Sequence, residues 1–356
     1  MTTPDPPRSA HHRPIVSVVM ANYNGAAYLA DAVRSVESQS LSELEIIISD
    51  DCSTDNSVDI VTRLQASDPR IRLLRSDRNG GPAAARNRAF ETVKGQWVAI
   101  MDSDDLIHPK RLATLIELAD RDGADIIADD LLEFDSDYSR PSRRLLRGEW
   151  GHAPFWVDII DYVRLDQIYA AGPALGYLKP LIRSSILKAA TARYDETLRI
   201  AEDFNLVLRL LHLGKTMRVY PFPLYYYRKH SNSISHRLNK EVLKALKAAE
   251  LRFLAQISCE EPRLVSAIAA RIKSIDAALA YETLLAALKA KKWSKALAIV
   301  LTQPRAAALL RLPIRDRLRR LSVVRQSSEW LLSPDMETPF KEDRRQTSHA
   351  PTKLQQ

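Results

Sequence analysis

The sequence predicts an α/β fold built on a doubly wound, mostly parallel sheet with helices on both faces. Over residues 14–130, short β-branched runs alternate with amphipathic helical stretches. Strands that alternate with helices pair in parallel through right-handed crossovers, which place helices on each side of the sheet. From about residue 235 the chain becomes helical and rich in Lys, Arg, Ala and Leu, so we expect a helical C-terminal extension.

The individual elements follow from apolar spacing and turn signals. The predicted strands of the first part are, in chain order, 16–20, 45–49, 71–74, 97–101 and 124–128. The helices between them are expected at 26–37, about 54–65, 82–93 and 109–120. Ser53 or Thr54 suits a helix cap, and Pro82 suits the first turn of a helix. Further along, 202–213 predicts a helix, followed by strands near 218–221 and 225–230.

The composition is typical of a soluble globular protein. The 356 residues are 46% hydrophobic and 27% charged, as in ordinary soluble globular proteins. The two cysteines, Cys52 and Cys259, provide no disulfide framework and fit a reducing compartment. No run approaches the roughly 20 apolar residues of a membrane-spanning helix. We therefore expect a cytoplasmic protein, at most peripheral on the inner face of the membrane, with disordered tails at 1–13 and 334–356.

Three carboxylates directly follow the fourth predicted strand, Trp97–Met101. They are Asp102, Asp104 and Asp105, and no Lys or Arg stands beside them in sequence before Lys110. A divalent cation such as Mg²⁺ or Mn²⁺, bridging carboxylates and substrate phosphates, commonly relieves such repulsion. The other interpretation is an acidic, solvent-exposed loop. Because open α/β sheets bind ligands at the carboxyl ends of their strands, the position favours the metal site.

The first three strands are also followed by polar segments. Ala21-Asn22-Tyr23-Asn24 offers an aromatic ring and amides after the first strand, and Asp50 to Asp55 offers carboxylates after the second. Asn79 to Asn87 follows the third strand with a Gly-Gly turn, a helix N-terminus and Arg86. Because parallel strands end at the same edge of a sheet, the four segments together predict a site for a nucleotide diphosphate.

These motifs carry a resemblance to a known family. Residues 15 to about 235 resemble a family 2 glycosyltransferase with the GT-A fold, a Rossmann-like fold of inverting, nucleotide-sugar-dependent enzymes. The matching segments are 17–24, 50–55, 81–87, 102–105, 201–203 and 227–235. Lys179-Pro180 and 198–203 look most like enzymes that build bacterial exopolysaccharides of the succinoglycan type. The chain departs from many members at Ala21 and Cys52, and neither position carries a reactive group in the family.

The resemblance implies roles for individual residues. On the donor side, Tyr23 would stack on the base and Asp51 would accept from uracil N3–H. Asp102 and Asp104 would form the Asp-x-Asp metal pair, with His230 as a further metal ligand or phosphate contact. The full nucleotide-sugar set is Ala21, Tyr23, Asn24, Asp50, Asp51, Arg86, Asp102 and Ser103. A lone His near a Tyr-rich strand end is also commonly a structural residue.

The same resemblance places the chemistry at Glu202 and Asp203. Asp203 would be the catalytic base that removes a proton from the acceptor hydroxyl, and Glu202 would shape the site. Arg86 has two interpretations, either stabilising charge on the donor side or pairing structurally with Asp102 or Asp105. The implied reaction transfers a hexose, with UDP-glucose the favoured UDP-sugar donor, to a polyprenyl-diphosphate-linked oligosaccharide. Mn²⁺ or Mg²⁺ is the implied cofactor.

The predicted domains are a catalytic domain at 14–238, with a nucleotide-sugar half at 14–130 and an acceptor half at 131–238, and a basic extension at 239–333. The extension holds 18 Lys and Arg against 8 Asp and Glu. Its segment 289–325 mixes cations with apolar residues, which is typical of helices on anionic membranes. The alternative is a helical extension whose basic face is solvated and which packs on the catalytic domain or on another subunit.

Three other functions share parts of this pattern. A sugar nucleotidyltransferase would use the same sheet and carboxylates, but a Gly-rich phosphate loop after the first strand is missing. A dehydrogenase would require G-x-G-x-x-G at that position. An inactive basic scaffold that binds membrane or nucleic acid would have lost Asp-x-Asp or Glu202-Asp203, and both are present. We expect no nucleic-acid partner.

Overall fold

The computed structural model describes residues 13–136, 141–170, 172–188, 192–230, 238–257 and 261–311. The predicted tails, apart from residue 13, lie outside the described residues, as do Cys259 and the 231–235 part of the last motif. Residues 312–333 of the predicted basic extension also lie outside them.

One ten-stranded sheet organises the chain. Its strands are β1 (Val16–Asn22), β2 (Leu44–Asp50), β3 (Ile71–Arg75), β4 (Trp97–Asp102), β5 (Leu106–Ile107), β6 (Ile126–Asp135), β7 (Arg143–Arg144), β8 (Phe155–Trp156), β9 (Leu181–Arg183) and β10 (Met217–Lys229). The main path runs β3-β2-β1-β4-β9-β6-β10-β5, and β7 and β8 pair with β6 and β10. Pairing is parallel within β3-β2-β1-β4 and between β6 and β10, so the predicted α/β class is confirmed.

Eleven α-helices of very different length accompany the sheet in the described residues. They are α1 (Leu29–Glu37), α2 (Ser57–Ser67), α3 (Pro82–Phe90), α4 (Arg111–Asp122), α5 (Ile159–Leu165), α6 (Ser184–Leu187), α7 (Glu202–His212), α8 (Lys240–Leu254), α9 (Pro262–Lys289), α10 (Trp293–Thr302) and α11 (Pro304–Ala308). Every residue of β2 and the first five of β1 are buried, which means that both faces of these strands are covered.

Several elements differ from the prediction in detail. The antiparallel strand β9 lies between β4 and β6, so the fifth predicted strand does not pair with the fourth. The second helix begins later than expected, after Asn56, and neither Ser53 nor Thr54 caps it. The two strands predicted at 218–221 and 225–230 form one strand, β10, whose register shifts around Pro223. A proline has no N–H to give to the ladder, which explains the irregularity there.

The first half of the extension packs directly on the sheet domain. Phe253 of α8 and Ile268 of α9 belong to the main hydrophobic core. Arg271 of α9 is 1% exposed, and its Nε donates to Glu250 at 2.8 Å. Its guanidinium lies 3.7 Å from the ring centroid of Phe204 in α7 and its Nη1 lies 3.9 Å from Asp166. The end of α9 forms a small separate cluster with α10.

Within the described residues, the helices are all too short or too polar to cross a membrane.

Candidate active site

The sheet register brings the predicted donor segments together. Ala21, near the end of β1, is paired with Asp102 of β4 on one side and with Ser49 of β2 on the other. Asn22 is paired with Asp50. The ends of three parallel strands therefore meet at one edge, as the sequence predicts for a ligand site.

A hydrogen-bonded loop pair supports the exposed ring of Tyr23. Asp50 accepts from Asn22 Nδ2 at 2.9 Å and from Ser53 Oγ at 2.6 Å. Asn24 has φ 52°, and its side-chain oxygen accepts from the backbone N–H of Thr54 at 2.8 Å. These contacts fix the loops after β1 and β2 against each other, while 47% of Tyr23 remains exposed. The stacking of a base on this ring remains a prediction.

Asp51 anchors the glycine turn that begins α3. Its two carboxylate oxygens accept from the backbone N–H groups of Gly80 and Gly81 at 3.1 and 2.6 Å. Gly81 has φ 91°, and a Cβ at this position would lie 2.3 Å from Arg199 Nη1. The sequence therefore has a glycine here for both backbone conformation and space. The contact of Asp51 with a uracil base remains a prediction.

Asp102 lies between two cations, contrary to its isolation in the sequence. Arg86 Nη2 contacts its Oδ1 at 2.6 Å, and Lys179 Nζ contacts its Oδ2 at 2.8 Å. Burial alone would raise the pKa of Asp102, but the charges of Lys179 and Arg86 outweigh it and hold the pKa below its ordinary value. Chain folding supplies the cations that the local sequence lacks, because Arg86 comes from α3 and Lys179 precedes β9.

The same two cations reach the predicted catalytic pair at the start of α7. Arg86 Nη1 contacts Glu202 Oε1 at 2.6 Å, and Lys179 Nζ donates to Asp203 Oδ2 at 2.8 Å. The hydroxyl of Tyr194 donates to Asp203 Oδ1 at 2.8 Å. Lys179 thus bridges Asp102 on the donor side and Asp203 on the predicted acceptor side. Arg86 pairs with Asp102, as its structural interpretation requires, and pairs with Glu202 as well.

The two carboxyls of α7 differ in proton affinity. Burial would raise the pKa of Asp203, but Arg86 and Lys179 lower it to about 2, with help from the hydrogen bonds of Lys179 and Tyr194. Burial raises the pKa of Glu202, and Arg86 only partly opposes this. Asp203 is therefore ionised at neutral pH, and both of its oxygens already accept hydrogen bonds.

Asp104 and Asp105 complete the carboxylate group. One oxygen from each of Asp102, Asp104 and Asp105 lies within 4.8 Å of the others. His230 Nε2 lies 2.9 Å from Asp104 Oδ2, so the structure brings the predicted metal-site residues together across more than a hundred positions. Ser103 is buried in the same turn. Clustered carboxylates are the ligands that Mg²⁺ and Mn²⁺ prefer, so this group of residues fits such an ion.

Asp105 lies deeper than its two neighbours and is 0% exposed. It accepts from the Tyr225 hydroxyl at 2.6 Å and from the backbone N–H of Arg228 at 2.7 Å. Burial and the charges of Asp104 and Asp102 raise its pKa well above the ordinary value. These contacts join the turn after β4 to β10, which carries the segment leading to His230.

Sequence reasoning missed four contributors to this site as members of it. Lys179 bridges the carboxylates, Tyr194 supports Asp203, and Tyr225 supports Asp105. The ring of Tyr28 lies 4.7 Å from the His230 ring. In the sequence, Lys179 belongs only to a segment that resembles the family. Its contacts depend on the antiparallel strand β9, which the apolar periodicity does not predict.

The fold is found among solved glycosyltransferases. The TarS 1-349 structure from S. aureus, determined with UDP-GlcNAc, has a TM-score of 0.55 and 19% sequence identity to this chain. The match covers 80% of this chain and 90% of TarS 1-349. This likeness shows that the chain has the GT-A type of fold.

Sequence comparison gives the family. The model for Glycosyl transferase family 2 matches residues 17–183. The succinoglycan biosynthesis protein ExoO of Rhizobium meliloti (strain 1021) is 33% identical over 310 residues, which cover 87% of each chain. The succinoglycan biosynthesis protein ExoU of the same organism is 29% identical over 242 residues, 67% of this chain and 69% of its own. The chain belongs to glycosyltransferase family 2.

Proposed function

We propose that the protein transfers a hexose from a UDP-sugar to a polyprenyl-diphosphate-linked oligosaccharide, with inversion, in bacterial exopolysaccharide synthesis. UDP-glucose is the proposed donor, and the proposed location is the cytoplasmic face of the membrane. The observation that carries the proposal is the bridge of Lys179 between Asp102 and Asp203, each at 2.8 Å. One ammonium group therefore contacts both Asp102, on the proposed donor side, and Asp203, the proposed base.

The comparisons support the biological setting. ExoO and ExoU are named for succinoglycan biosynthesis, and the TarS structure contains UDP-GlcNAc. The exposed ring of Tyr23 and the edge formed by Ala21, Asn24 and Asp50 suit a nucleoside, while Asp102, Asp104 and His230 suit the diphosphate end. A donor bound in this way would have its sugar toward Glu202 and Asp203 at the start of α7.

We assign base catalysis to Asp203. An acceptor hydroxyl that reaches Asp203 can transfer its proton to the carboxylate as its oxygen attacks the anomeric carbon on the face opposite the diphosphate. Because Lys179 and Tyr194 occupy both Asp203 oxygens, the acceptor must add to or displace one of these bonds. Glu202 holds Arg86 in place and thereby shapes the pocket.

Asp102 and Asp104 would hold Mn²⁺ or Mg²⁺, with His230 as the third contact. A divalent ion there would neutralise charge on the departing diphosphate. Arg86 and Lys179 would remain as the permanent cations of the site.

A donor and acceptor screen tests the proposal. UDP-glucose, UDP-galactose and UDP-GlcNAc would each be incubated with a polyprenyl-linked oligosaccharide and Mn²⁺, and UDP release and product configuration measured. We expect acceptor-dependent UDP release with one of these sugars and an inverted product. The control Asp59→Asn, an exposed acid of α2, should retain activity. A product with the donor's anomeric configuration, or release of inorganic diphosphate from a nucleoside triphosphate and a sugar phosphate, would contradict the proposal.

A further inference from the structure

Helix α10 presents its largest apolar side chains to solvent. Trp293, Leu297 and Leu301 are 66%, 59% and 73% exposed. Residues four apart lie on one face of a helix, so these three form a continuous stripe, which we call the α10 stripe. Apolar stripes of this kind on otherwise polar surfaces mark sites of interaction.

Other residues of α10 already have packing partners. Ala296 is buried against Leu284 and Ala287 of α9, and Ile299 and Val300 pack partly against the same cluster. The helix is thus attached to the protein through Ala296, Ile299 and Val300, while Trp293, Leu297 and Leu301 point away. A surface helix that only completed the fold would also bury these three larger side chains.

Cations flank the α10 stripe in the sequence. The sequence from Thr283 to Arg315 contains no Asp or Glu. Six cations of this stretch are in the described residues and exposed, namely Lys289, Lys291, Lys292, Lys295, Arg305 and Arg311. An apolar stripe bordered by Lys and Arg matches the interface of an anionic lipid bilayer, where rings and aliphatic groups enter the acyl boundary and cations lie among the headgroups.

We propose that α10 docks the protein on an anionic membrane through Trp293, Leu297 and Leu301. A second copy of the chain is a poorer occupant, because two such faces would bring the same cations together, and residues 283–315 supply no carboxylate to pair with them. The inference deepens the proposed function, since a lipid-linked acceptor lies at such a surface. Its test uses vesicles without donor or acceptor, so its outcome does not depend on catalysis.

The experiment is sedimentation of the full chain with vesicles. Wild type should partition to phosphatidylglycerol-containing vesicles and much less to pure phosphatidylcholine, with binding that weakens as salt rises. The triple variant W293S/L297S/L301S should lose at least tenfold in partition coefficient. K291Q/K292Q/K295Q should lose binding by roughly fivefold per cation engaged, and chiefly at low salt.

A matched control tests the position of the stripe. Leu213 and Leu251 are 53% and 47% exposed and lie outside α10, so L213S/L251S should bind vesicles like wild type. Circular dichroism and thermal melting should show all variants folded, because the replaced side chains are exposed.

Three results would overturn the proposal. These are equal binding of the α10 triple variant and wild type, equal partition of wild type to both vesicle types, and a wild-type dimer in sedimentation velocity that the triple variant abolishes. The first would place membrane contact elsewhere, and the last would assign the stripe to self-association. Vesicle binding by a protein inactive on every UDP-sugar and acceptor would contradict the proposed function while leaving the docking surface intact.

Discussion

Replacing Lys179 by Met tests the central ion network of the site. Lys179 is 7% exposed, and its ammonium contacts Asp102 and Asp203. Met retains most of the length of the side chain and removes only the charge and its hydrogen bonds. Asp102 keeps Arg86 at 2.6 Å, whereas Asp203 keeps the Tyr194 hydroxyl and a more distant Arg86 at 3.6 Å.

The size of the effect follows from the pKa of Asp203. Folding lowers this pKa from 3.8 to about 2, so the ionised carboxylate is stabilised by about 2 kcal/mol relative to the unfolded chain. Removing one member of a buried ion pair typically costs about 3–5 kcal/mol. Because Arg86 remains, we expect Lys179→Met to lower the free energy of unfolding by about 3 kcal/mol at pH 7.

The pH dependence has a defined direction. A carboxylate with a depressed folded pKa stabilises the protein above its unfolded pKa, and this contribution is lost as pH falls through 3.8 toward 2. The difference between wild type and Lys179→Met should therefore be constant from pH 8 to pH 5 and narrow below pH 4. Urea unfolding across this range measures it. Lys110→Met is the control, because Lys110 is exposed and close to the carboxylates only in sequence.

A double-mutant cycle separates the interaction between Lys179 and Asp203 from the other effects of each substitution. Lys179→Met combined with Asp203→Asn should cost clearly less than the sum of the two single changes, because each removes the same interaction. A Lys179→Met protein within about 0.5 kcal/mol of wild type at pH 7, or an additive double mutant, would refute the view that Lys179 stabilises Asp203.

Three further predictions concern the same site. Asp203→Asn should reduce turnover, measured by UDP release, about 10²- to 10⁴-fold, while donor affinity, measured by calorimetry, stays nearly unchanged. A parallel loss of donor affinity would contradict the role of Asp203 as base. EDTA, or Asp104→Asn with metal present, should abolish calorimetric binding of UDP-glucose, and full binding in EDTA would remove the metal from the site. Gly81→Ala should destabilise the fold by more than Gly214→Ala. Both glycines have positive φ, but only at Gly81 would a Cβ meet a neighbouring side chain, that of Arg199. Equal melting temperatures of the two variants would contradict this reasoning.

The edge of the sheet that holds the predicted nucleotide-sugar residues could be predicted from the sequence, because the order of strands and helices along the chain determines it. Alternating strands and helices place Ala21, Asp50 and Asp102 at strand ends, and neighbouring parallel strands bring those ends together. The register observed for β1, β2 and β4 confirms that placement. The proximity of His230 to Asp104 rested on the family resemblance, since the two residues are far apart in the chain.

The electrostatics could not be predicted in the same way. From the sequence, Asp102 lacks a nearby cation, yet Arg86 and Lys179 both reach it in the fold. Lys179 is placed by β9, a strand of three residues that runs against its neighbours and carries no periodic signal. Short antiparallel insertions depend on tertiary packing, so the charge environment of Asp203 became visible only in three dimensions.

The buried Arg271 restricts how this enzyme can be recombined with its relatives. Its guanidinium covers Phe204, the residue next to Asp203, and is held by Glu250 of α8. A chimera joined just after residue 238 would give the recipient's α7 a foreign helix pair in place of this arginine. An exchange point after α9 keeps Arg271 with its own α7, so α10 and the residues that follow it form the portion most easily exchanged.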